Sequence, residues 1–332
     1  MATHADIADR FAQEAGKPDA NLLLARSGNV FVSGEGNRTL YSYGKHFPLV
    51  HLMLDRQGNR SWWLLNGDTY SVSTARHQAI TRDACKRTGL PMLTIPFSCL
   101  TEAGILKDTI EPVDVEPERW DTSAHVVDSI ENVPSSAVYT AKKLSDGRYE
   151  YRTYRHWLGA ALFRATYRVS GRELGAYFLS AFDEQETTPH YFLCELPGDA
   201  RPRTVRDAFL ALKPPEVVAA EAAGVICTRQ GDVFAVPTRL TTRELAKLTP
   251  KRERGAHVLH LSHKATEVAI ADDGTTYARG VLHHAPFESW RRPEHRRRPM
   301  GDRRTWHVLV KNTVPVDSLG RSRAWSRGGN VD

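Results

Sequence analysis

The chain lacks most of the features that would name a reaction at once. Its 332 residues contain no Gly-x-x-x-x-Gly-Lys-Ser/Thr loop, no Gly-x-Gly-x-x-Gly turn, no His-Glu-x-x-His and no Gly-x-Ser-x-Gly. The common phosphate cradles, zinc-protease helices and hydrolase elbows are therefore disfavoured. Cys85, Cys99, Cys194 and Cys227 are scattered, with no Cys-x-x-Cys pair. That argues against structural zinc and for reduced, mostly buried thiols. No stretch approaches the roughly 18 apolar residues of a membrane span, and no basic start followed by an apolar run marks a signal peptide. Both absences point to the cytoplasm and away from a membrane.

What is present is ordinary in amount and uneven in place. Apolar residues make up 41% and charged residues 25%, which suits packed globular domains. The formal net charge is +6, yet residues 251–332 hold 16 lysines and arginines against 9 acids, while the preceding 250 residues are nearly balanced. The basicity belongs to one end of the chain, and local charge density is what governs field and counterion release.

Strand-like runs outnumber helical ones and do not alternate with them. The expected class is α+β, mainly antiparallel meanders and hairpins with a few short helices. Residues 1–110 read as a sheet-plus-helix module. In it, a helix from Ile7 to Ala15 precedes "NVFVSG", "RTLYSYG", "FPLVHLML" and "RSWWLLN". A second helix spans 73–87, capped by Ser73 or Thr74, and "PMLTIPFSCL" is a further strand. Residues 111–146, acidic and proline-containing, read as a connection. Residues 147–213 form a β-rich middle module. Residues 214–318 form a basic, His/Arg-rich β module whose clearest hairpin turns at Asp273-Gly274. The last stretch, 319–332, is expected to be disordered.

The segments "LYSYGKHFPL", "LLNGDTYSVSTARHQ", "IPFSCLTEAGI" and "RQGDVFAVP" resemble a family of uncharacterised proteins found in phages and bacterial genomes. The resemblance runs over most of the chain and implies a mobile-element origin. It carries no catalytic or binding residue with it.

The densest chemistry lies in "HHAPFESWRRPEHRRRPMGDRRTWH", residues 283–307. Arg291, Arg292, Arg296, Arg297, Arg298, Arg303 and Arg304 are bracketed by Trp290 and Trp306. Guanidinium groups bind phosphate bidentately, and tryptophan stacks on bases. The segment is expected to contact nucleic acid, DNA or RNA. A protein partner, or pairing with the acidic stretch 111–121, is the alternative use of the same charge, and a purely structural or interaction role needs no catalysis.

Two further sets merit a place. His283 and His284 fall at an expected strand end, His263 leads into the other arm of that hairpin, His307 lies on the final strand and His295 in the loop between. Three imidazoles on neighbouring strand ends would suit Zn²⁺ or Mn²⁺ and with it a metal-dependent phosphodiesterase or nuclease. No His-x-His spacing supports this, and the plainer reading is surface histidines with one or two in the core. Near the N-terminus, Tyr41 and Tyr43 should share a strand face. With Ser73, Thr74 and His77 at a helix start, Tyr43 would frame an anion site. The plainer reading there is an aromatic sheet face beside a helix cap.

Overall fold

The consecutive apolar residues Trp62-Trp63-Leu64-Leu65 have no polar partner face, so a strand built from them must be buried on both sides. The computed structural model bears this out. It describes residues 2–17, 22, 26–33, 37–68, 71–134, 137–138, 141–183, 190–248, 251–258, 263–284, 298–301 and 304–314. At 120, 121, 153–157, 183, 190, 251, 284 and 298 the backbone alone is described. The expected disordered tail lies outside these residues.

Six strands in chain order make the first sheet: β1 (Arg26–Ser27), β2 (Val30–Ser33), β3 (Thr39–Ser42), β4 (Gly44–Leu54), β5 (Arg60–Asn66) and β6 (Met92–Ile95). All neighbours are antiparallel except β5 and β6. The β4–β5 hairpin closes where the Asp55 carboxylate accepts from the backbone N–H of Gln57 and Asn59, with Gly58 at φ 84°. Two helices cover one face, α1 (His4–Glu14) and α2 (Val72–Arg87), the second making the crossover between β5 and β6. Phe11 of α1 meets Trp63 with ring centroids 5.6 Å apart, and Trp63 and Leu65 belong to this helix-side core. Trp62 and Leu64 bury on the opposite face.

That opposite face packs on a second sheet. After the short helix α3 (Phe97–Glu102) come β7 (Glu111–Val115), β8 (Arg119–Val127), β9 (Lys142–Lys143), β10 (Tyr149–Trp157), β11 (Ala161–Val169), β12 (Arg172–Asp183) and β13 (His190–Glu195). β7, β11, β12 and β13 form a four-stranded sheet in the order β13-β12-β11-β7. Phe163 and Phe178 on one face join Leu93, Ile95 and Phe97 in a shared core. Leu162, Leu179 and Phe192 on the other face bury against α4 (Val205–Leu212), which α5 (Pro215–Ala222) follows. The strand expected over "PMLTIPFSCL" is thus a strand and then a helix, broken at Pro96.

Residues 111–146 are not the plain connection expected from their composition. β7 pairs with β11, and β8 runs nine residues in register with β10, forming with β9 a small sheet of its own. The sequence hides these strands because β7 and the described side chains of β8 are almost all exposed on both faces. With no buried face there is no apolar alternation to read.

The C-terminal sheet takes its strands from 228 onward: β14 (Thr228–Gln230), β15 (Val233–Pro237), β16 (Lys251–Arg254), β17 (His257–Val258), β18 (His263–Ile270), β19 (Thr276–His284), β20 (Arg298–Pro299) and β21 (His307–Lys311), with α6 (Thr242–Leu248) packed on it. The β18–β19 hairpin turns through five residues, Gly274 among them at φ 85°. The fold is α+β with mainly antiparallel sheets. Among the described residues no helix is long and apolar enough to cross a membrane.

One glycine sets the junction between the four-stranded sheet and the β8–β10 ribbon. A Cβ on Gly159 would lie 1.8 Å from the Glu116 carbonyl oxygen, so two backbones touch there. Gly159→Ala should lower stability in urea unfolding by about 1–3 kcal/mol, the usual range for forced overpacking. Gly198→Ala, with nothing within 4 Å of the added carbon, should change it by less than about 0.5 kcal/mol.

Candidate functional site

Strand β3 carries two hydroxyl–imidazole pairs, one at each end. Thr39 Oγ1 lies 2.7 Å from His51 Nδ1, and Ser42 Oγ lies 2.7 Å from His77 Nδ1. All four residues are buried. The second nitrogen of His51, Nε2, lies 2.9 Å from an Asp108 carboxylate oxygen, with the Arg38 guanidinium 3.7 Å from the same oxygen. For a neutral ring this fixes the roles: Nε2–H donates to Asp108, and Nδ1 accepts the Thr39 hydroxyl. Burial pushes the His51 pKa down, partly offset by Asp108. The hydrogen bond from His51 in turn holds the Asp108 carboxyl below its usual range. The signal for this set was a histidine and a threonine at core positions of β3 and β4, inside the otherwise apolar "FPLVHLML" in the histidine's case.

At the other end of β3, His4 sits edge-on to His77 with centroids 4.5 Å apart, and the Tyr43 ring lies 5.8 Å away. Burial lowers the His77 pKa, with the charges of His4 and Arg76 adding to it. Tyr43 is half exposed and holds φ 61°, a left-handed conformation that a bulky side chain adopts at a cost. It lies just beyond β3, so the expected shared face with Tyr41 does not form. Tyr41 stacks instead on Phe31 at 5.5 Å.

The anion site expected at the start of α2 is differently built. The helix is capped by Ser71, not by Ser73 or Thr74. Ser71 Oγ accepts from the Thr74 N–H, and Thr74 Oγ1 accepts from the Ser71 N–H, so the cap is closed within itself. Ser73 is exposed in the first turn and Thr74 is buried. His77 is committed to Ser42. The preceding Tyr70 lies outside the described residues.

A third polar centre ties β5, α2 and α3 together. The N-cap of α3 is Pro96, which offers no side-chain acceptor. Asn66 Oδ1 accepts from the Phe97 N–H at 3.1 Å, and the buried Asp68 carboxylate accepts from the Ser98 N–H at 2.8 Å and from the Ser98 hydroxyl. Gln78 of α2 donates to the Asn66 and Asp68 carbonyls. Burial raises the Asp68 pKa against these bonds. This is a structural knot: each group's partner is protein.

In the C-terminal module the expected histidine set does not converge. His263 pairs with His284 across β18 and β19, but His307 pairs with Ala278, six residues along β19 from His284. Six strand residues span roughly 20 Å, too far for one ion. His283 pairs with Lys264 and alternates away from His284. His263 and His307 are buried, and the His307 Nδ1–H donates to the Thr305 carbonyl at 3.1 Å. Among the described residues no three His, Cys, Asp or Glu side chains gather as a metal set. His295 lies outside them.

Trp306, expected to stack on bases, is fully buried. Its Nε1–H donates to Thr242 Oγ1 at 3.2 Å, and the Arg279 guanidinium lies over its ring at 4.7 Å while pairing with Glu267. With Leu245 and Ala269 it fixes α6 to the sheet. The arginines fare differently. Arg304 is exposed, and the backbone of Arg298 is paired to Leu282 in β20. Trp290, Arg291, Arg292, Arg296, Arg297 and Arg303 lie outside the described residues.

A cleft of about 360 Å³ opens where the end of α3 meets β11, with the Tyr167 hydroxyl donating to Glu195 at 3.0 Å. It gathers none of the expected site residues. Comparison of the chain with protein-family models, with curated proteins and with solved structures gives no match.

Three buried imidazoles, His51, His77 and His307, share a pKa lowered first of all by burial. On acidification the unfolded chain takes up their protons near pH 6.5, before the folded protein does, so stability is full above that pH and falls below it. Asp68, with its pKa raised, works in the opposite sense. Urea unfolding between pH 7.5 and 5 should therefore show falling stability, and His51→Gln should make the fall shallower. A flat profile would contradict the neutral, buried state assigned to these rings.

Proposed function

We propose that the protein contacts nucleic acid through the arginine-rich face of its C-terminal module. The observation that carries this is the placement of charge. Residues 251–332 hold 16 basic against 9 acidic residues, and among the described ones Arg252, Arg254 and Arg304 are exposed. Arg239, Arg243 and Lys247, on and beside α6, are exposed as well. Trp306 joins the two groups, because its indole bonds Thr242 at the start of α6 and it follows Arg304 by two residues. The arginines from 291 to 304 run between β19 and β21, whose pairing anchors both ends of the segment. Phosphate contact by such a face positions a polyanion without reading its sequence. The resemblance to phage-encoded proteins is in keeping with that setting. Trp306 serves as the anchor under the surface, not as a stacking ring.

If four to six of these arginines meet phosphates, the slope of log K against log salt should be roughly −3 to −5. Changing Arg296, Arg297 and Arg298 together to Ala should flatten it by about two to three units, with little change in folding stability. Trp306→Ala should do the reverse, costing about 3–5 kcal/mol of stability as a buried large-to-small change. Titrations with single strand, duplex and RNA measure the slopes. No binding at about 50 mM salt, where phosphate contacts are far stronger than at physiological ionic strength, would remove the reading and leave the surface to a protein partner.

A further inference from the structure

The β8–β10 ribbon poses a physical problem that the other described residues do not solve. β8 and β10 pair over nine residues, from Arg119↔Trp157 to Val127↔Tyr149. The third strand, β9, is only two residues long and lies beyond β10. Among the described residues β8 is therefore an edge. Thr122, Ser123, Ala124, His125 and Val126 are all exposed, covering both faces of the strand, and Val126 is 48% exposed. No hydrophobic core among the described residues draws on β8, β9 or β10. A two- or three-stranded ribbon without a core is marginal in water.

Natural edge strands are blunted with proline, lysine, bulges or very short length. β7, the preceding strand and an edge of the four-stranded sheet, is treated this way, with Pro112 in five residues. β8 is nine residues long, contains no proline or lysine, and keeps an unbroken register with β10, so that only Arg119 and Asp121 guard it. An edge left open in a chain that closes its neighbour is fitted to receive a strand.

We propose that the strand it receives is β8 of a second copy of this chain, paired antiparallel about a two-fold axis through Ser123. The sequence of β8, RWDTSAHVV, complements itself in that register. Asp121 comes opposite His125, Trp120 opposite Val126, and Thr122 opposite Ala124, each twice by symmetry. A carboxylate beside an imidazole N–H and an apolar pair are cross-strand combinations that stabilise a sheet. A shift of the axis by one position to Ala124 replaces them with Asp121 opposite Val127 and Thr122 opposite Val126. The two ribbons become one continuous sheet in the order β10-β8-β8-β10, which removes the open edge of both. His125, whose ring stacks on Tyr151 of β10 at 5.0 Å, is already held in place for the contact.

The test is the oligomeric state of the full chain by sedimentation equilibrium at about 1–100 µM, a range in which a micromolar dimer is resolved. The wild type should be a dimer. His125→Asp puts two carboxylates opposite each other at both symmetric positions and should raise the dissociation constant about tenfold or more. Asp121→Lys combined with His125→Asp places opposite charges there and should bring it back. Ser123→Asp, which places like charges on the axis itself, should weaken the dimer independently, with circular dichroism reporting that the monomer stays folded. A wild-type monomer throughout the range would overturn the proposal. So would a dimer indifferent to His125→Asp and Ser123→Asp, since its interface would then lie elsewhere.

Discussion

Adjacent residues of β5 bury in different cores, Trp63 against α1 and Trp62 toward the four-stranded sheet, and the architecture of the N-terminal two thirds depends on that division. A strand apolar on both faces is stable only between two covers. The helices α1 and α2 supply one cover and the sheet of β7, β11, β12 and β13 supplies the other. The second sheet repeats the device, with Phe163 and Phe178 toward β5 and Leu162 and Leu179 toward α4. The result is a stack of helix, sheet, sheet and helix in which removing any layer exposes the next.

Polar groups inside such a stack must find partners there, because an unmet hydrogen bond in the interior costs about 1–3 kcal/mol. This explains why the buried hydroxyl, imidazole and carboxamide groups gather at the layer ends. His51 joins the first sheet to Asp108, just before β7, and Asn66 with Asp68 joins β5 to α2 and α3. These groups carry catalytic residue types but spend them on one another. The C-terminal sheet follows a different plan, in which a buried tryptophan lies under an arginine–glutamate pair and joins α6 to the sheet.

Much of the fold was legible where one face is buried or where a cap gives a signal. The meander over 26–66, the helices α1, α2 and α4 and the hairpin around Gly274 follow from alternation, capping residues and turn glycine. β7 and β8 were not legible, because exposure on both faces leaves no period to detect. The cap of α2 was misplaced by two residues because Ser71, Ser73 and Thr74 are all competent caps, and only the reciprocal bonds of Ser71 and Thr74 decide among them. Of the candidate site, charge was legible and burial was not. Trp306 and His307 read as surface groups within a polar segment, yet Trp306 is the side chain that α6 packs against. His284 and His307 lie close in sequence terms to one motif, but strand register holds them apart.

The central proposal is that the arginines of residues 291–304 form the contact surface for a polyanion while the buried Trp306 is structural. Arginine modification by a glyoxal reagent, mapped by mass spectrometry with and without a single-stranded oligonucleotide, addresses it most directly. The account predicts protection concentrated on Arg291 to Arg304 and on Arg239 and Arg243 beside α6. Arginines of the first two sheets, such as Arg56 and Arg172, should react equally in both states. Protection that falls on those arginines instead, or none anywhere under conditions where the oligonucleotide is bound, would contradict it.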